Sequence, residues 1–159
     1  MRMKRLVFSI FCFAFSLTLS ALTPIRQFEP SRYSGEGEWL KQDGTTGYYK
    51  DIALFNQNGW TTINFSLDKL YIFDTYLKID ENGFVYLLLV DVSNPDNIRK
   101  FEGSGHCGSF YCSLNVKIEK GVLHKNIMFN SDGTLSYFGD ISYEDGSSIQ
   151  WEGHSTRLP

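Results

Sequence analysis

The sequence predicts an all-β protein: an antiparallel up-and-down barrel, or a closely related two-sheet sandwich, of about eight to ten strands. Three observations carry that expectation. Short runs of aromatic and β-branched residues recur roughly every 8–15 residues between turn signals. The signals are those of tight hairpins: Asp43-Gly44, Asn58-Gly59, Asn82-Gly83, Asp132-Gly133 and Asp145-Gly146, with Asp68-Lys69, Asn94-Pro95-Asp96 and Lys120-Gly121 completing the series. Beyond the N-terminus, no stretch long enough for a helix shows a helical period. A meander of so many strands protects its edges by closing on itself or by folding into two sheets.

Residues 1–21 read as a signal peptide. Arg2, Lys4 and Arg5 precede an uncharged apolar run from Leu6 to Leu19, and Ser20-Ala21 supplies small residues for cleavage. The run is shorter than the roughly 20 residues needed to span a bilayer, so no transmembrane anchor is expected after cleavage. Export to the periplasm or the extracellular space follows. Residues 22–32, with Pro24 and Pro30, read as an extended arm or linker, and residues 33–159 as a single β-barrel domain.

Charge narrows the partners. The chain has 15 Lys and Arg against 18 Asp and Glu, and three of the basic residues belong to the expected signal peptide. An acidic chain without a basic run is a poor match for nucleic acid or an anionic membrane.

Within the domain the strands alternate. Ile63, Phe65 and Leu67 fall on one face, with Thr62, Asn64 and Ser66 on the other; the apolar set is expected to face the core. Leu114, Val116 and Ile118 oppose Asn115, Lys117 and Glu119, and Leu135, Tyr137, Ile141 and Tyr143 repeat the pattern. Phe84 to Val90 is apolar on both faces, which predicts a central strand covered on both sides, ahead of an oligomer interface. A weak repeat relates the halves: Tyr33, Gly35 and Gly37 answer to Phe101, Gly103 and Gly105, each opening about five strands.

The stretch from Phe101 to Cys112 gathers His106, Cys107 and Cys112. In an oxidising compartment the two cysteines are expected to form a local disulfide. Catalysis by His106 and Cys107 is not expected, because neighbours in a strand point to opposite faces. A zinc site from Cys107, Cys112, His106 and either His124 or His154 lacks the second compact ligand module of strong zinc motifs. Asp80-Glu81 and Glu144-Asp145 sit in turn tips, while Asp74, Asp140 and Glu152 lie within strands at no spacing that joins them. No catalytic, cofactor or metal site is therefore predicted. Aromatic residues make up 16% of the chain, and Trp39, Trp60, Tyr86, Tyr111 and Trp151 are the expected ligand-contacting or barrel-lining side chains.

Gly37-Glu38-Trp39 resembles the Gly-x-Trp signature that opens lipocalins. With Gly44-Thr45 it is also similar to the opening of avidins, although Lys41 stands where avidins place a ligand-binding asparagine. Both belong to the calycin group of barrels, many of which hold a small ligand. The resemblance implies structural roles for Gly37 and Trp39, and it implies that Arg157 covers the Trp39 ring. The function expected is non-enzymatic: an exported small barrel holding a small apolar or aromatic ligand. The alternative is an interaction module, an inhibitor or envelope-associated partner, that uses the loop from His106 to Tyr111.

Overall fold

The computed structural model describes residues 28–66 and 69–159. The expected signal peptide, residues 22–27 of the arm, Leu67 and Asp68 lie outside the described residues. Ten strands follow one another: β1 (Ser31–Lys41), β2 (Thr46–Asn56), β3 (Gly59–Ser66), β4 (Lys69–Ile79), β5 (Phe84–Asp91), β6 (Arg99–Cys107), β7 (Tyr111–Ile118), β8 (Gly121–Phe129), β9 (Leu135–Tyr143) and β10 (Ser148–Arg157). Each pairs antiparallel with the next, and β10 returns to β1, so the sheet closes as an up-and-down barrel and the sandwich is set aside. The turns are where the sequence placed them: Gly44, Gly59, Gly83, Gly133 and Gly146 all adopt positive φ, which side chains with a Cβ rarely tolerate.

The barrel has two unlike ends, because in a meander alternate turns fall on alternate ends. At one end Phe28 enters from the segment before β1 and packs against Phe55, Trp60 and Phe129, with ring centroids 5.5, 5.4 and 6.1 Å away. Tyr33 adds an edge-on contact to Phe55 at 5.5 Å. Phe28 is buried, so the stretch expected to be only an arm supplies a plug. Cys107 and Cys112 face each other across β6 and β7 at this same closed end and are joined by a disulfide. At the other end Lys41, Lys69 and Tyr71 are exposed and border an open lumen.

Two strands depart from expectation. In β3 it is Thr62, Asn64 and Ser66 that line the lumen, while Phe65 is exposed on the outside. A hollow, hydrated interior accepts polar side chains that a filled core would reject, so the alternation holds and its sense is reversed. In β5, Val85, Leu87 and Leu89 face inward, but Phe84 and Tyr86 are 60% and 65% exposed. A closed single-layer barrel has one interior, so the strand is covered on one side and not on both.

Trp60→Ala is expected to cost about 3–5 kcal/mol, as for a fully buried aromatic residue, because it opens the aromatic plug. Trp39→Ala, removing a half-buried ring, should cost less than half as much; urea denaturation compares the two. Alkylation before and after reduction should find Cys107 and Cys112 protected in the oxidised protein. Replacing both with Ala should cost no more than about 2 kcal/mol, the scale for so short a loop.

A hollow barrel with a buried polar cluster

The lumen encloses a cavity of about 410 Å³. Its wall is largely apolar, with Phe55, Trp60, Leu87, Leu89, Leu114, Val116 and Ile127 around the plugged half. Ten strands make a wider tube than eight, and a second device keeps it clear. Where β1 meets β10, Trp39 lies opposite Trp151 and Gly37 opposite Gly153. The flanking strands complete two rows: Gly47, Trp39, Trp151, Gly139, and next to it Tyr49, Gly37, Gly153, Tyr137.

Each ring rests on the glycine beside it. A Cβ on Gly47 would fall 2.3 Å from the Trp39 ring, and one on Gly139 would fall 2.4 Å from that of Trp151. Cβ atoms on Gly37 and Gly153 would meet the Tyr49 and Tyr137 hydroxyls at 2.4 and 2.6 Å. Glycine thus gives up its own packing so that a neighbouring ring can lie along the wall. The two tyrosines lean toward each other over the glycines, with ring centroids 6.5 Å apart.

The same seam positions a polar cluster. Asp51, one step along the β2 face from Tyr49, is buried and accepts from Ser155 Oγ at 3.2 and 3.3 Å. Tyr49 donates to the Glu152 carbonyl at 3.3 Å. Tyr137 Oη is buried and approaches Asp51 and Tyr49 without reaching hydrogen-bond geometry with either. Lys125 extends from β8 with Nζ 5.9 Å from the Trp60 ring centroid. Among the described residues it makes no hydrogen bond or ion pair; Asp51 acts on it only at longer range.

Burial decides the protonation of this group. It pushes the Asp51 carboxyl up, against the pull of the Tyr137 and Ser155 hydroxyls and of the charges on Lys125 and His154. It pushes the Lys125 ammonium down to about 8, with Asp51 opposing. The Tyr49 and Tyr137 hydroxyls are both raised, mainly by burial.

Of the aromatic residues expected at the lumen, Trp39, Trp60 and Trp151 line it. Tyr86 and Tyr111 do not: they are 65% and 49% exposed on the outer face, one phase out of register with Leu87 and Cys112. Gly37 and Trp39 sit at the seam as described. Arg157 lies opposite Tyr33, three lumen-facing positions away from Trp39 along β1; the cation over the Trp39 ring is Lys41 Nζ, 5.5 Å from its centroid. His106 points outward between Phe84 and Tyr111, with centroids 6.2 and 6.1 Å away. Asp74 accepts from Thr61 at 2.6 Å, and Asp140 lies 3.2 Å from His124. Among the described residues no group of three or more His, Cys, Asp or Glu is arranged to hold a metal ion.

Sequence reasoning missed Asp51, Lys125 and the tyrosine pair. The signal was present: Tyr49-x-Asp51-x-Ala53-x-Phe55 and Leu123-x-Lys125-x-Ile127 each carry a charge in the inward phase of a strand. No family model matches the sequence, and no curated protein matches it. The ten-stranded antiparallel barrel is compatible with a calycin-like fold.

The lysine makes a test by pH. Between about pH 8 and pH 10.5 the unfolded chain keeps a proton on Lys125 that the folded chain has released. Stability contributed by this group therefore rises with pH across that window. Lys125→Met should flatten the rise relative to wild type, as read by urea denaturation at half-unit intervals.

Proposed function

We propose that this protein is an exported, non-enzymatic carrier or receptor that holds a small ligand, apolar or aromatic in its body, inside the barrel. The observation that supports this best is the cavity. Its volume falls within the range of small-molecule sites, about 300–1,000 Å³, and its apolar wall with a few convergent polar groups has the usual composition of such sites. Aromatic rings held against the wall by glycines leave the lumen accessible from one end. The calycin resemblance at Gly37-Glu38-Trp39 supports the same reading, although lipocalins close with eight strands and this barrel closes with ten. The local disulfide supports export, since such bonds persist in oxidising compartments.

A second reading places a protein partner on the loop from His106 to Tyr111. Phe110, Tyr111 and Phe84 are exposed together beside the Cys107–Cys112 link, and a tied loop binds at lower entropic cost. This surface lies at the plugged end, away from the mouth, so the two readings separate cleanly.

Fluorescence of the neutral reporter N-phenyl-1-naphthylamine should rise saturably as it enters the cavity. The rise should be lost in Thr62→Phe, which fills the lumen, and retained in Tyr111→Ser. Uptake unaffected by Thr62→Phe in a folded protein would sink the barrel-site reading. Native mass spectrometry of protein from its own host should then show a recurrent added mass.

A further inference from the structure

We infer that the ligand held in the barrel carries an acidic group, a carboxylate or sulfonate on an apolar body, and that Lys125 receives it. The inference rests on the ligand-binding reading above and refines it.

A buried ammonium is ordinarily matched by an anion, because removing the charge from water is costly. Lys125, half-buried in the barrel wall, has no such match among the described residues. Asp51, the carboxylate whose charge acts on it, is engaged by Ser155 and forms no ion pair with it. The Trp60 ring under Nζ compensates only in part. What the side chain leaves uncovered opens onto the cavity. Folding has thus placed an incompletely compensated cation on the wall of a site large enough for a ligand.

The distribution of charge points the same way. The full chain carries a formal charge of −3, yet the charged residues lining the lumen are three lysines, Lys41, Lys69 and Lys125, and one aspartate, Asp51. Lys41 and Lys69 stand exposed at the mouth, where Asp43, Asp96, Glu119, Glu144 and Asp145 in the surrounding turns offset their charge, so the preference for an anion rests on Lys125 inside the lumen. A cationic head group would meet the Lys125 ammonium inside the lumen. A neutral one would leave Lys125 without an anionic partner. Leu87, Leu89, Leu114, Val116 and Ile127 suit the apolar body.

The test displaces N-phenyl-1-naphthylamine with dodecanoate, dodecan-1-ol and dodecylammonium at neutral pH and low salt. Dodecanoate should displace at a concentration about tenfold below dodecan-1-ol, the ratio expected from one additional charge-assisted contact, with dodecylammonium weakest. Lys125→Met should remove the advantage of the acid and leave the alcohol unchanged or tighter, while Lys125→Arg keeps it. Equal binding of acid and alcohol by the wild-type protein overturns the inference but leaves ligand binding standing, as does an acid preference that survives in folded Lys125→Met. No uptake of the reporter and no binding of any of the three removes both. Should Lys125→Met fail to fold, the wild-type ratio and Lys125→Arg still decide.

Discussion

Closure of the sheet depends on the pairing of β1 with β10, and that pairing depends on an exchange between glycine and aromatic rings. Gly35 and Gly37 on β1 and Gly153 on β10 leave no room for a Cβ: the positions one would occupy lie 2.0 Å from the His154 carbonyl, 2.3 Å from that of Glu152 and 2.6 Å from the Tyr137 hydroxyl. A strand weakened by glycine loses side-chain packing, and here the rings of Tyr49 and Tyr137 restore it from the neighbouring strands. Closure and the clear lumen therefore share one cause. Tyrosines projecting straight inward would occupy the space in which Asp51 and Lys125 are found.

That arrangement explains why the interior is divided. The plugged half is apolar and aromatic, built from Phe28, Tyr33, Phe55, Trp60 and Phe129, and it supplies the packing that a hollow protein otherwise lacks. The open half gives up core volume for surface that water or a ligand can reach. Asp51 and Lys125 lie between these environments, where burial shifts both toward their neutral forms and their mutual attraction opposes the shift. Two charged groups brought this far from water without forming an ion pair are a poor source of stability.

The fold was legible where the determinants are local. An Asp or Asn before glycine specifies a hairpin from two residues, and every such turn among the described residues formed with its glycine at positive φ. The lumen was legible only in part. Whether an inward position is filled or open depends on the number of strands around the ring and on which rings find a glycine beside them, and both are non-local. Hence the polar face of β3 was assigned to the outside, Tyr86 and Tyr111 to the inside, and Arg157 to a tryptophan it does not reach. The histidine and cysteine cluster drew attention because its residues adjoin in sequence. Asp51 and Lys125, on β2 and β8, come within electrostatic range of each other only through closure.

Phe28 belongs to no strand, yet it is what makes the barrel a cup instead of a tube. Its ring fills the closed end between Phe55, Trp60 and Phe129. A proteolytic cut after it would leave all ten strands intact and their hydrogen bonds unchanged while unsealing the far side. Any cleavage of the N-terminus that left the barrel sealed at this end would have to fall upstream of Phe28.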